Sequence, residues 1–168
     1  INLKNLFFNR ISSEDAINII NSEFKIKDIS FNENGSDAID LDFSDGKISN
    51  VNFNNIGNDA IDFSGSNVEV NNAYFVNIKD KIISIGENSV IKINKVNATN
   101  SYVGITAKDG SKVLAKNIKM NEVKIPFASY IKKKEYKEPT LILENINVDN
   151  YFTKWIKDDK SKILYQNS

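Results

Sequence analysis

The chain predicts an all-β fold, a right-handed, single-stranded parallel β-helix of about seven coils of 22 residues. Three observations predict it. Asp37-Ala38-Ile39-Asp40 returns as Asp59-Ala60-Ile61-Asp62, and the same step of 22 residues finds Asp15-Ala16-Ile17, Lys81-Ile82-Ile83, Val103-Gly104-Ile105 and Ile125-Pro126-Phe127. A fixed period in this range marks units that bury their apolar faces only against one another, as solenoid coils do. Next, Ile17-x-Ile19, Ile39-x-Leu41, Ile61-x-Phe63 and Ile83-x-Ile85 alternate with period two, the pattern of strands with one buried face. Finally, Asn5, Asp28, Asn50, Asn72, Lys95, Asn117 and Asn145 recur just before the middle residue of an apolar-x-x-apolar-x-apolar motif. Asn and Asp tolerate the left-handed backbone conformation, so this column reads as a tight corner between short strands. Leucine-rich repeats have similar lengths, but the apolar positions here are mostly Ile, Val and Phe, and no helix is spelled out.

In order, residues 1–14 supply the last strands of a first coil, with Leu3, Leu6 and Phe8 inward. Coils then run from about 15–36, 37–58, 59–80, 81–102 and 103–124. Matching Leu143/Ile146/Val148 to Ala115/Ile118/Met120 takes 28 residues, so a six-residue insertion lies between Tyr130 and Pro139, in YIKKKEYKEP. It is expected to protrude from a corner as a basic loop near 130–139. Tyr151, Phe152, Trp155 and Tyr165 are expected to cap the open end over 151–168, because bare strand edges and apolar faces recruit other chains. The whole of 1–168 is then one parallel β-helix. Ile1 already stands in register, so the chain is expected to be a fragment or C-terminal part of a longer protein.

With no cysteine, a disulfide framework and thiolate metal sites are excluded; with no histidine, so is the commonest general base. No apolar run approaches a membrane span. Net charge is zero, yet residues 1–88 hold 7 Lys/Arg against 14 Asp/Glu and residues 89–168 hold 15 against 8. On a solenoid this is a dipole along the axis. Lys132, Lys133, Lys134 and Lys137 come without a basic-aromatic recognition motif, so no nucleic acid partner is expected.

Stacking at about 4.8 Å makes residues 22 apart lateral neighbours. One column reads Asn18, Asp40, Asp62, Ser84, Thr106, Ala128; a second reads Asp15, Asp37, Asp59, Lys81, Val103, Ile125; a third reads Ile20, Asp42, Ser64, Gly86, Lys108, Tyr130. Since Ile39 and Leu41 point in, Asp40 and Asp42 point out, and carboxylates crowd one exterior patch. Hydrogen bonds to corner amides, a bound divalent cation or a raised carboxylate pKa would each relieve the repulsion. Asp37, Asp40, Asp59 and Asp62 are therefore candidate Ca²⁺ ligands, with no cofactor required. Asp40, Asp42, Asp62, Lys108, Tyr130, Lys132 and Lys133 are candidate ligand-binding residues. Lys81 is either an ion-pair partner or a base for β-elimination from an acidic sugar.

These features resemble the right-handed parallel β-helix superfamily of pectate lyases and polygalacturonases, over nearly every residue. Asn34-Gly35-Ser36-Asp37-Ala38-Ile39-Asp40 and Gly57-Asn58-Asp59-Ala60-Ile61 look like the paired aspartate elements of polygalacturonase-type hydrolases. The resemblance implies that Asp37 and Asp59 flank a scissile glycosidic bond. With Asp62 and Lys81 they are the catalytic candidates. Asn58 stands where that family has an aspartate, and its histidine and Arg-x-Lys elements are missing. The segments 81–87, 108–111 and 130–136 are similar to β-helix repeats of large bacterial envelope-associated proteins, where no catalysis is implied. The favoured expectation is a non-catalytic domain of a larger bacterial surface or envelope protein. It would sit outside the cell or in the envelope, meeting polysaccharide or other parts of its own protein. The alternative is a polysaccharide lyase or glycoside hydrolase acting on acidic polysaccharide.

Overall fold

A computed structural model describes residues 1–166. In chain order the strands are β1 (Asn2–Asn9), β2 (Asp15–Ile20), β3 (Glu23–Asn34), β4 (Asp37–Asp42), β5 (Asp45–Ile56), β6 (Ile61–Ser64), β7 (Asn67–Ile78), β8 (Lys81–Gly86), β9 (Val90–Lys108), β10 (Lys112–Tyr130), β11 (Thr140–Asp149), β12 (Trp155–Lys157) and β13 (Lys162–Gln166). Every pairing is parallel: β1-β3-β5-β7-β9-β10-β11-β13 stack on one side and β2-β4-β6-β8 run on to β9, β10 and β12 on the other. This is a single-stranded parallel β-helix. Among the described residues eight strands stack on the first side, so the coil number is closer to eight than to the expected seven.

The register explains the repeat. Ile39 pairs Ile61, Ile61 pairs Ile83 and Ile83 pairs Ile105, each 22 residues on, and Phe127 pairs Trp155 across the insertion. The long strands are bent rather than straight. Asn5, Asp28, Asn50, Asn72, Lys95, Asn117 and Asn145 all have φ between 52 and 60°, so the corner column read from sequence is a column of left-handed residues. A second such column, Arg10, Glu33, Asn55, Asn77, Asn100, Glu122 and Asn150, makes the next corner.

Side-chain ladders tie the coils at these corners. Asn72 donates to Asn50 (2.9 Å) and Asn50 to Asp28 (2.9 Å). Where Lys95 replaces Asn, a parallel ladder through Asn71, Asn94, Asn117 and Asn145 takes over. At the third corner Ser44, Ser66 and Ser89 each accept, on Oγ, the backbone N–H of the serine one coil earlier, at 3.0–3.1 Å. Inside, Phe8, Phe31, Phe53 and Phe75 stack with centroids 4.8–5.0 Å apart, the coil spacing itself.

The aromatic end is only partly a cover. Trp155 lies 5.8 Å from Tyr165 and remains 44% exposed, while Phe152 is 88% exposed. Asn167 and Ser168 lie outside the described residues.

Candidate functional site

The aspartate face is built by β4, β6, β8 and the second halves of β9 and β10. Ile39, Leu41, Ile61, Phe63, Ile83 and Ile85 are buried in the core. The alternate residues Asp40, Asp42, Asp62 and Ser64 therefore project from the other side of the sheet, half-buried. Register sets Asp40 beside Asp62 and Asp62 beside Ser84, as the spacing predicts.

The corner aspartates do a structural job as well. Asp37 Oδ1 accepts the N–H of Asp59 at 2.9 Å, and Asp59 Oδ1 accepts the N–H of Lys81 at 2.8 Å, so each ties its coil to the next. Lys81 Nζ lies 3.3 Å from Asp59 Oδ1 and 2.5 Å from Asp80 Oδ2, the ion-pair role. Asp37, Asp59 and Asp62 bring one carboxylate oxygen each within 4.8 Å of the others; Asp40 stands outside this trio.

The electrostatics follow from crowding and burial. Desolvation, reinforced by Asp42 and Asp62, pushes Asp40 up to about 7. Desolvation takes Asp59 to about 6 against the opposing pull of Lys81. Asp37 and Asp42 are raised too, by burial first; the charge of Glu87 adds to the shift at Asp42, while the Asp59 N–H opposes it at Asp37. For Lys81, burial works to lower the pKa, but the bonds to Asp80 and Asp59 outweigh it and the group stays charged. Tyr130 is half-buried and its phenol is raised by that burial, with Lys81 opposing.

Lys108, a candidate ligand-binding residue, is only 8% exposed: its side chain lies over Gly86 and delivers Nζ to Ser84 Oγ at 2.7 Å, 3.8 Å from Asp62 Oδ1. The loop near 130–139 is largely exposed and leans back over the preceding coils. Buried Asp109 accepts the backbone N–H groups of Lys132 and Lys133, both at 2.7 Å, and the Lys133 ammonium pairs with Glu87, 46 residues earlier in the chain. Glu87 is held below its ordinary value by that pairing in spite of burial. Lys133 thus borders the aspartate face, and like Lys132 and Lys134 it is exposed. Tyr74 lines a cleft with Asn97 and Lys119, and Tyr102 lies under Lys124 Nζ, 5.1 Å above its ring.

No family model, curated protein or solved structure matches this chain. The fold alone sets its class, a parallel β-helix with one strand face lined by carboxylates.

Proposed function

We propose that this chain is a non-catalytic β-helix domain of a larger bacterial surface or envelope protein, binding carbohydrate along its aspartate face. The observation that carries the reading is the pair Asp40 and Asp62, half-buried register partners that set carboxylates at coil spacing along the axis. An extended polymer of hydroxyl-bearing rings presents donors in such a series. Asp37 and Asp59 already spend an oxygen on the next coil's backbone, and Lys81 is tied to two carboxylates, which favours binding over chemistry. The test is affinity electrophoresis against a panel of bacterial and plant polysaccharides, with wild type and Asp62→Asn. Retardation by at least one glycan, lost in the variant, is expected; a panel without retardation, or a variant equal to wild type, contradicts it.

Calcium is the metal these donors suit, since it takes six to eight oxygens. The converging trio Asp37, Asp59 and Asp62 favours it, but the Lys81 ammonium at 3.3 Å from Asp59 already occupies one side. In this reading the ion bridges the trio to ligand oxygens. A melting temperature raised by Ca²⁺ and lowered again by chelator supports it; one indifferent to both removes it.

A lyase or hydrolase is the second reading, favoured by Asp40 near 7 and Asp59 near 6, values suited to proton transfer. Release of unsaturated sugars from uronate polymers, abolished by Asp62→Asn, would establish it in place of the first.

A further inference from the structure

We propose that Phe43 is an aromatic platform at the margin of the aspartate face, on which a pyranose ring of an uncharged, β-1,4-linked polysaccharide stacks. This rests on the carbohydrate reading and names a contact residue and the class of polymer. Phe43 is the exception in its column. The residues just before the corner serines Ser22, Ser44, Ser66, Ser89 and Ser111 are Asn21, Phe43, Gly65, Asn88 and Gly110. All are left-handed, with φ between 49 and 75°. Asn and Gly take that conformation readily, whereas a bulky side chain there is strained. Phe43, at φ 49°, is the only one that is neither, and its side chain is not drawn into the core: it is 63% exposed. A strained position whose ring faces solvent has no packing gain to offset the strain, which points to a role outside the fold.

The next coil makes room for the ring. A Cβ on Gly65 would stand 2.5 Å from Cδ1 of Phe43, so only glycine leaves the ring its place. The ring therefore extends along the axis from its own coil over the next, beside Asp42 and its register partner Ser64, the last outward residues of β4 and β6. Polar groups stand around it. The Ser64 hydroxyl faces both Asp42 and Glu87, and Glu87, at the same corner two coils on, holds the Lys133 ammonium. An exposed apolar ring with a polar rim suits a pyranose, whose C–H face covers the aromatic while its hydroxyls reach the rim. Rows on a solenoid run straight, and β-1,4 linkage gives the extended ribbon that follows one. Charge selects further. Carboxylates outnumber ammonium groups on this face, and Lys81, Lys108 and Lys133 each already lie against an acidic partner. A polyuronate is repelled there and an uncharged chain is not.

The experiment is isothermal titration of the whole chain at about pH 8, above the value of Asp40, with hexamers of β-1,4-glucose, β-1,4-mannose and α-1,4-galacturonate. At least one neutral hexamer should bind, and more tightly than the galacturonate. Phe43→Asn gives the corner the residue type it has at Asn21 and Asn88. It should weaken that binding at least about tenfold, a difference of about 1.4 kcal/mol, while the melting temperature holds or rises as the strain is relieved. Phe43→Tyr, which keeps the ring, should keep the binding. Unchanged affinity in Phe43→Asn overturns the inference, and a lower melting temperature with it assigns the ring to covering Gly65. Galacturonate bound more tightly than either neutral hexamer also overturns it. Neutral hexamers that do not bind, while another glycan of the panel retards the protein, overturn it and leave the carbohydrate reading standing. Silence from the hexamers and the panel together removes both.

Discussion

Asn50 shows how much a single residue carries. It holds a left-handed corner at φ 53°, donates to Asp28 and accepts from Asn72. Asn50→Ala loses both bonds and the side-chain amide that lets asparagine tolerate a left-handed backbone, so urea unfolding should show a loss of about 1–2 kcal/mol. The first corner column was legible because Asn and Asp dominate it. The second, which mixes Arg10, Glu33 and Glu122 with Asn, gave no such signal, since its residues share a backbone angle and not a chemistry. The serine column was equally periodic in the sequence, yet small polar residues near turns are too common to single out. The outward aspartates followed from alternation alone, whereas the burial of Lys108 depends on where a long side chain lies down. Titration gives a second test at this scale. Asp40 and Asp59 have folded values near 7 and 6, above the unfolded value of about 3.9. The folded state therefore binds more protons between about pH 4 and 7, so this contribution is complete below about 4 and lost as pH rises through 6 and 7. Thermal melts should show lower stability at pH 8 than at 5.5, with the slope flattened in Asp40→Asn.

Among the elements, the aromatic ladder and the folded-back loop make opposite demands on sequence reading. Phe8, Phe31, Phe53 and Phe75 fall in one apolar column, so their stacking is a direct consequence of the period. Phe53 is buried with rings on both sides, and Phe53→Ala should cost about 3–5 kcal/mol in chemical denaturation. Phe8, only partly buried at the end of the stack, should cost less. The loop's length was legible from the step of 28 residues, but its direction was not. That direction is set by Asp109 capturing two backbone N–H groups and by Glu87 pairing with Lys133, contacts between separate coils that no local pattern announces. Asp109→Ala should release the loop. Hydrogen exchange of the Lys132 and Lys133 amides should rise sharply, and trypsin should cut first at Lys132–Lys134; unchanged exchange would show that the loop is held by something else.

For the molecule as a whole, sequence position is position along the axis, because each coil pairs only with its neighbours. The acidic first half and basic second half are therefore separated in space, and the returning loop carries Lys133 back towards the acidic side. Aspartates far apart in the chain become one face by the same stacking, and any binding role stands on it. The chain has no native cysteine, so a pair introduced into the face reports its geometry without background. In Asp40→Cys/Asp62→Cys the positions are register partners on adjacent strands about 4.8 Å apart, within reach of a disulfide. In Asp40→Cys/Ser84→Cys two coil steps separate them, at about 9–10 Å, beyond that reach. Intact-mass analysis after mild oxidation should find the first pair bridged within the monomer and the second as two free thiols. Bridging of the second pair and not the first would contradict the stacked arrangement and the carboxylate face built on it.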